Sequence, residues 1–338
     1  MQAGERLRIW IDLANSPHVR LFAAVASYLE EEGHTVGFTA RHHAQTVPLA
    51  EELGLEFALV GGPSPAGRIK KLVRTAARAQ ELARWARAWR PDVALSHGSY
   101  AQLVAALRLR VPRVTMMDYE FQPANHLSFR LANRLVVPEC FPESALRRQG
   151  ARKNAVVRYP GFKEEVYLVE GAGADASETL AVGHDELLVL ARPSPEGALY
   201  LRERNDQFDR ALKDALAQGA RVVVLPRDEI QAARYAAEGA EVPERPVDSY
   251  TAIRAADAVL GGGGTMSREA ALLGAHTYTT FSGRLAAVDS ELIRRGWLHD
   301  LRDGQLVLRK RDRGVVRARR ENGLALVAAV QAAISQIA

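Results

Sequence analysis

The stretch "AADAVLGGGGTMSREAALLGAHTYTTF", residues 255–281, joins a short apolar run to an alanine-rich helix through four consecutive glycines. A second apolar run, "AHTYTTF", follows the helix. A strand, a helix and a strand at this spacing are typical of a βαβ unit in a parallel sheet. In such sheets, ligands bind at the carboxyl ends of the strands, where the glycines stand here.

The same alternation extends in both directions along the chain. An N-terminal series begins with the strand "LRIWIDLA" (7–14) and includes a long helix over 68–89. The pattern breaks at "VVRYPGFKEEVYLVEGAGADASETLAVG", and a second series starts at "ELLVLARPS". The sequence predicts an α/β protein with two Rossmann-like domains whose parallel sheets face each other across a cleft. The predicted parts are an N-terminal acceptor domain (1–160), a connection (161–183), a C-terminal nucleotide-sugar domain (184–320) and a C-terminal helix (321–338).

Composition narrows the class of protein. The 338 residues are 47% hydrophobic and 25% charged, which is ordinary for a globular protein of two domains. Cys140 is the single cysteine, so an intramolecular disulfide and a cysteine zinc cluster are excluded. The net charge of +5 suits anionic substrates, whereas no nucleic-acid-binding signature is present. Since neither a signal peptide nor a membrane-spanning run is seen, we expect a cytoplasmic protein.

The glycine run predicts an anion site. The strand ends near Gly261 and the helix begins near Thr265, where unpaired N–H groups and the helix dipole favour a phosphate. Glu269 lies one turn into the helix, within reach of a ribose beside the phosphates. The alternative is a tight turn with Glu269 favoured by the dipole alone. The candidate nucleotide-binding residues here are Gly262, Gly263, Gly264, Thr265 and Glu269.

Two arginines at other strand ends of the C-terminal domain complete the predicted nucleotide site. Arg192 lies in "LARPSPEG" (190–197), and Arg227 lies in "VLPRDE" (224–229). Arginine forms forked, charge-assisted hydrogen bonds, which suit a diphosphate.

The loop after the first strand carries the main candidate for proton transfer. His18 follows "ANSP", and an imidazole can accept a proton from a sugar hydroxyl near neutral pH. Asp12 and Asn15 are near enough in sequence to orient His18 or contact an acceptor. The alternative is that Asn15 or Ser16 caps the helix, with Pro17 at its first position.

Two further strand-end loops carry polar residues. "SHGSY" (96–100) contributes His97 and Ser99, although Ser99 could serve only as a helix cap. "MMDYEFQPANH" contributes Asp118 and Glu120, which share one face because they are two residues apart on an extended chain. Ordinary loop polarity is the alternative for both acidic residues.

The segment 68–90 is rich in lysine and arginine and has one acidic residue, Glu81. A basic amphipathic helix can lie on an anionic membrane, and the alternative is a sheet-packing helix with a solvated basic face. No metal site is expected, since the adjacent His42 and His43 point in different directions and lack a carboxylate partner at ligand spacing.

The stretch "SYTAIRAADAVLGGGGTMSREAALLGAHTYTTF" resembles the nucleotide-binding segment of GT-B glycosyltransferases and of non-hydrolysing UDP-N-acetylglucosamine 2-epimerases. The resemblance implies that Gly263, Gly264 and Thr265 hold a diphosphate and that Glu269 binds the ribose. It also implies that no divalent cation is required.

"NSPHVRLFAAVASYLEEEGHTVGFTARHH" resembles the opening segment of the enzyme that adds N-acetylglucosamine to the peptidoglycan lipid precursor. His18 takes the position of that family's loop histidine and Glu120 that of its acidic residue. The loops "ANSPH" and "MDYEFQ" depart from the family pattern, which suggests an uncharacterised branch of glycosyltransferase-like proteins.

Together the patterns and the resemblance predict metal-independent transfer of a sugar from a UDP-sugar, a substrate rather than a cofactor, to a cell-envelope glycan or lipid-linked acceptor. The expected catalytic residues are His18, Glu120 and Asp12, and the expected acceptor contacts are Asn15, His97, Ser99 and Asp118. A non-hydrolysing UDP-sugar 2-epimerase and a non-catalytic sugar-nucleotide-binding protein are the alternatives. Peripheral contact with an anionic membrane through 68–90 is a further expectation.

Overall fold

The computed structural model describes residues 6–43, 45–62, 68–169, 180, 183, 186–194, 206–244, 247–302 and 304–338. The chain divides into two compact units, Met1–Tyr167 with Arg320–Ala338, and Leu168–Arg319. Each unit contains one sheet, and all strand pairs in both sheets are parallel. The predicted α/β class with two Rossmann-like units is therefore confirmed.

The sheet of the first unit has seven strands in the order β3-β2-β1-β4-β5-β6-β7. Because the strand order reverses between β1 and β4, the loops after these two strands diverge to opposite faces and leave room for a ligand. The strands are β1 (Arg8–Leu13), β2 (Thr35–Ala40), β3 (Phe57–Leu59), β4 (Val93–His97), β5 (Arg113–Met116), β6 (Arg134–Pro138) and β7 (Val156–Tyr159).

Helices cover both faces of this sheet, which explains why its central strands are apolar throughout. On one face, Phe22, Val25 and Leu29 pack into the core with alternate residues of β1. On the other face, Trp10 packs with two alanine-rich helices. The helices are α1 (Pro17–Glu31), α2 (Thr46–Glu52), α3 (Arg68–Trp89), α4 (Tyr100–Leu109), α5 (Asn125–Leu131), α6 (Glu143–Gln149) and α7 (Glu165–Leu168).

The sheet of the second unit has five strands in the order β12-β11-β10-β8-β9. Its order reverses between β8 and β10, so Arg192 and Gly261 end neighbouring strands at the reversal, where they are also register partners. The strands are β8 (Leu188–Arg192), β9 (Arg221–Val224), β10 (Ala258–Gly261), β11 (His276–Thr279) and β12 (Leu298–Asp300). The helices are α8 (Asp206–Ala217), α9 (Glu229–Ala237), α10 (Ser249–Ala255), α11 (Thr265–Leu272) and α12 (Ala287–Arg294).

The structure differs from the sequence prediction where the first series ends. "VVRY", read as the start of an irregular stretch, is strand β7, and it pairs with β6. The last helix, α13 (Arg320–Ser335), packs into the core of the first unit through Leu326, Val330 and Ile334. Residues 170–179, 181 and 182 of the predicted connection lie outside the described residues. In the described part of the chain, no helix combines the length and apolarity needed to cross a membrane.

Candidate functional site

Asp12, at the end of β1, is a fully buried carboxylate whose oxygens are already occupied. Arg78 donates two hydrogen bonds to it, at 2.8 and 2.7 Å, Thr39 donates one at 2.7 Å, and Ser99 donates one at 2.5 Å. Thr39 in turn accepts from the indole of Trp10. This arrangement favours a structural role for Asp12 over the predicted catalytic role, because four donor groups already occupy its lone pairs.

His18 and His97 lie side by side at the point where the strand order reverses. Their ring centroids are 4.7 Å apart, and each side chain is buried. Nδ1 of His18 and Nε2 of His97 are buried and have no hydrogen-bond partner. Burial lowers the pKa of His18 well below its ordinary 6.5, and electrostatic interactions with His97, Lys163 and Arg41 lower it further, against the opposing effect of Asp118. His18 is therefore neutral at pH 7 and able to accept a proton.

Asp118 connects this histidine pair to a buried lysine. Its Oδ1 lies 3.3 Å from Nε2 of His97, an ion-pair distance at which the angle does not allow a hydrogen bond. Its Oδ2 pairs with Nζ of Lys163, which also lies 2.6 Å from Oε1 of Glu164. Lys163 and Glu164 are buried beyond the end of β7. Four strand ends thus bring two imidazoles, one ammonium and two carboxylates together.

The remaining predicted residues of the first unit have identifiable positions. The side chain of Glu120 is buried, and its backbone carbonyl accepts a hydrogen bond from Gln149 at 2.5 Å. Asn125 donates to the carbonyl of Tyr119 at 2.9 Å, so two amides fix the loop that carries the acidic residues. Asn15 accepts a long contact of 3.4 Å from Arg41.

Ser99 caps α4, as one of the alternatives for this residue predicts. Its hydroxyl accepts from the backbone of Gln102 at 3.3 Å while donating to Asp12. Ser16, by contrast, is the N-cap of α1 but makes no capping hydrogen bond with its side chain. Its hydroxyl instead accepts from the backbone of Gln45.

The basic helix α3 uses its apolar face within the first unit. Ala79, Leu82, Ala83 and Ala86 are buried against residues of α4, while Val73 is 65% exposed. Arg78 is buried in its pair with Asp12. These contacts favour the sheet-packing alternative for 68–90, and membrane contact stays a prediction.

In the second unit, three of the four glycines in the run that begins with the last residue of β10 are required by close packing. A Cβ on Gly261 would collide with Oγ of Ser267, one on Gly262 with the backbone of Ser194, and one on Gly263 would lie 2.6 Å from the ring of Phe281. Gly264 differs, because no described atom lies within 4 Å of its Cβ position. Its φ of +101° explains the glycine.

The first turn of α11 presents donors that the described side chains leave unsatisfied. Gly264 is the N-cap, and no side chain caps the helix. In contrast, Asp228 caps α9 and Asp248 caps α10 through hydrogen bonds from backbone N–H groups. Oγ of Ser267, within the same first turn, is buried and has no partner. The arrangement can bind an anion, because first-turn N–H groups and a hydroxyl donor lie together.

Arg192 and Arg227 brace the loops beside the glycines. Arg192 donates to the carbonyls of Leu225 and Pro226 at 2.9 and 3.1 Å, and Arg227 donates to the carbonyl of Pro193 at 2.9 Å. Burial, and then the charge of Arg227, lower the pKa of Arg192 to about 10. Two like charges held close together favour the approach of an anion.

Thr265 and Glu269 lie on α11 as predicted, with Glu269 buried. The neighbouring Arg268 makes two hydrogen bonds to Asp289, at 2.7 and 3.2 Å, which anchor α11 to α12. The helix that carries the predicted nucleotide contacts is therefore fixed in place.

The sequence prediction misses Lys163, Glu164 and Arg41. Lys163 and Glu164 fall in "PGFKEE", which the sequence pattern places in the connection because it does not identify "VVRY" as a strand. The signal was present, since a glycine and a charged run follow the apolar "VVRY" as they follow other strand ends. Over the described ranges, no group of three His, Cys, Asp or Glu side chains could hold a metal ion.

Comparison with solved structures identifies proteins that share this fold. The UDP-GlcNAc 2-epimerase from Neisseria meningitidis, solved with UDP-GlcNAc bound, superposes with a TM-score of 0.69 and 12% identity over 96% of this chain and 91% of that one. The glycotransferase of kitacinnamycin superposes with a TM-score of 0.55 and 14% identity over 99% of this chain and 94% of that one. These likenesses show that the two units form the predicted GT-B fold.

At the level of sequence, the chain is 27% identical to the uncharacterized protein MJ0665 of Methanocaldococcus jannaschii over 303 residues, 86% of each chain. A family model described as "Protein of unknown function (DUF354)" matches residues 7–328, a range that includes both sheets, the buried histidine pair and the glycine run. The chain therefore belongs to the DUF354 family.

Proposed function

We propose that the second unit binds a UDP-sugar at the N-terminus of α11. The observation that carries the proposal is the uncapped first turn of this helix, with the buried, unpartnered hydroxyl of Ser267 beside it. In this proposal the diphosphate accepts hydrogen bonds from the backbone at Gly263, Gly264 and Thr265. Glu269 accepts hydrogen bonds from the ribose hydroxyls.

Two observations support a diphosphate over a smaller anion. Arg192 is partly desolvated, and its charge is repelled by that of Arg227. An anion with two charged groups could offset this repulsion with one group while the other accepts hydrogen bonds from the helix N-terminus. The fold is also that of the Neisseria meningitidis enzyme solved with UDP-GlcNAc. A UDP-sugar is the ligand class that fits both.

We propose that the reaction is glycosyl transfer, with His18 as the general base. A hydroxyl oxygen of the acceptor forms a bond to the anomeric carbon as the bond from that carbon to the diphosphate oxygen breaks. The acceptor proton passes to Nδ1 of His18, which is neutral, buried and unpartnered. The helix N-terminus and Arg192 stabilise the departing UDP.

A second candidate reaction is 2-epimerisation of the UDP-sugar, which needs both an acid and a base at the sugar. The observation that favours it is the gathering of Asp118, Lys163 and Glu164 around the histidine pair. This cluster offers carboxylates in the first unit that could exchange a proton with C2.

Calorimetric titration of UDP, TDP, GDP, CMP and NAD tests the ligand. We expect selective UDP binding, weakened about tenfold by Ser267→Ala and by Glu269→Ala through the loss of hydrogen bonds. Glu321→Ala is the matched control, since Glu321 is an exposed first-turn residue of α13. The nucleotide assignment is wrong if UDP does not bind, or binds these variants as tightly as the wild type.

NMR of UDP-GlcNAc incubated without an acceptor separates the reactions. Inversion at C2 identifies the epimerase, whereas an intact or slowly hydrolysed donor is expected of the transferase. Tight UDP binding with no turnover of any UDP-sugar in the presence of candidate acceptors would contradict both and favour a non-catalytic binding protein.

A further inference from the structure

Arg41 is a cation that the first unit leaves without a counter-charge. It follows β2, and among the described residues its side chain makes one hydrogen bond, a 3.4 Å contact to the amide oxygen of Asn15. Its Nε is buried and has no partner. Among the described residues, no carboxylate lies within ion-pair distance of it. Burial and the charge of Arg78 both lower the pKa of Arg41, which shows how unfavourable its charge is here.

Asp12 does not form an ion pair with Arg41. Its negative charge raises the pKa of Arg41, but its two oxygens accept hydrogen bonds from Arg78, Thr39 and Ser99. A guanidinium that is partly removed from water and unpaired costs free energy, which a bound anion would recover.

His18 adds a second observation at the same loop, because its backbone N–H donates to the carbonyl of Asn15 at 3.0 Å while the amide oxygen of Asn15 accepts from Arg41. The side chain of His18 is 7% exposed and its Nδ1 is unpartnered. In agreement with this geometry, the charge of Arg41 contributes to the lowering of the pKa of His18. The other charged groups that face His18 are His97 from β4, Asp118 from beyond β5 and Lys163 from beyond β7. Lys163 is already paired with Asp118 and Glu164, so Arg41 is the cation of this set that lacks an acidic partner.

We propose that Arg41, with His18 beside it, binds an oxyanion, a carboxylate or a phosphate, carried by the molecule that receives the sugar. The inference rests on the proposed function only for the role of that molecule as acceptor. The anion site itself stands on the contacts of the first unit. The acceptor is thus an acidic or phosphorylated compound rather than a neutral glycan.

Binding of this anion has a consequence for the base. A negative charge at Arg41 offsets one of the positive charges that lower the pKa of His18, so the pKa rises towards its ordinary value. A base whose pKa is closer to the working pH accepts a proton more readily. By reciprocity, the anion binds more tightly when His18 is protonated.

The test is an NMR titration of the His18 ring between pH 5 and 8, with the resonance assigned by comparison with His18→Gln. The full chain is saturated with UDP, and the titration is run in chloride, inorganic phosphate and acetate at equal ionic strength. We expect phosphate, acetate or both to raise the proton affinity of His18 about tenfold over chloride. A response to phosphate alone identifies a phosphorylated acceptor, and a response to acetate alone identifies a carboxylate.

Variants locate the effect. Arg41→Gln is expected to raise the pKa of His18 in chloride, to remove its response to anions and to weaken phosphate binding about tenfold or more. Arg41→Lys keeps the charge and should retain part of the response. Arg84→Gln, which removes an exposed arginine of α3, should titrate like the wild type.

Identical titrations in all three anions, or an undiminished response in Arg41→Gln, would overturn the inference. If Arg41→Gln does not fold, the wild type and Arg41→Lys still decide. UDP calorimetry on the same samples separates the two proposals. Intact UDP binding with no anion response refutes the anion site alone, and an anion response without UDP binding refutes the nucleotide assignment alone.

Discussion

Replacement of Asp12 by asparagine is expected to destabilise the first unit strongly. Asparagine has nearly the same shape as aspartate but lacks the negative charge that pairs with Arg78. Its amide nitrogen is a donor, and it would face other donors at a position where the carboxylate oxygen accepts hydrogen bonds. Arg78 keeps its hydrogen bond to the carbonyl of Val60 at 2.9 Å, so its charge stays in the buried site. Removal of one partner of a buried ion pair typically costs about 3–5 kcal/mol.

The expected loss can be compared with that of an exposed pair in the same unit. Glu143 and Arg158 are 3.0 Å apart, with side chains 56% and 30% exposed. Glu143→Gln should therefore cost less than about 1 kcal/mol. With a slope of about 3 kcal/mol per molar urea, Asp12→Asn should lower the unfolding midpoint by about 1–1.7 M, several times more than Glu143→Gln.

Urea unfolding followed by tryptophan fluorescence measures this difference. Three of the four tryptophans lie in the first unit, and Trp10 is hydrogen-bonded through Thr39 to Asp12 itself. A double variant with Arg78→Met should recover much of the loss, because the charge without a partner is then gone. If Asp12→Asn unfolds at the same urea concentration as Glu143→Gln, the buried pair does not hold this region together and Asp12 is free for another role.

Other expected outcomes follow from the same contacts. Ser267→Ala should leave the free energy of unfolding, measured by calorimetry, within about 0.5 kcal/mol of the wild-type value, since the hydroxyl has no partner to lose. A larger loss of stability would reveal a structural role for Ser267. Gly262→Ala and Gly264→Ala should each destabilise the second unit by about 1–3 kcal/mol, the first through its collision with the backbone of Ser194 and the second because side chains rarely adopt its φ of +101° with ψ of −170°; an unchanged thermal unfolding temperature in either variant would contradict this reasoning. The folded-state pKa of His18 is below its unfolded value, so the unfolded chain binds more protons and stability should fall as pH drops below about 6.5. His18→Gln should weaken that dependence in urea midpoints measured at pH 7.5, 6.0 and 5.0, and an unchanged slope would refute it. Flotation with anionic vesicles should show little recruitment through 68–90, since Ala79, Leu82, Ala83 and Ala86 of this helix pack with residues of α4; strong binding that depends on anionic lipid would support membrane contact instead.

Much of the fold follows from the sequence because its signals are local. Apolar runs such as "RIWIDL" are buried on both faces of a parallel sheet, and the helix over 68–89 has the predicted bounds. The glycine run marks the carboxyl end of β10 whatever its neighbours are, since close contacts and positive φ each demand glycine. These features needed no knowledge of distant contacts.

The polar contacts of the first unit could not be predicted in the same way. Nothing local distinguishes Arg78 from the exposed arginines of the same helix, and its partner Asp12 is 66 residues away. Lys163 meets Asp118 across 45 residues. The choice between a catalytic and a structural role for Asp12 depends on how many donors reach it, which only the folded chain decides.

The final helix has a consequence for how the protein is made. Leu326, Val330 and Ile334 complete a core that includes strands from the start of the chain, and the whole second unit lies between them in sequence. Domains generally fold in the order in which the ribosome releases them. Here the first unit cannot complete its core until the last helix has been synthesised, whereas the second unit can fold earlier. The apolar surface of the first unit therefore stays uncovered during synthesis. Nascent chains halted before residue 320 should recruit a chaperone to the first unit rather than to the second.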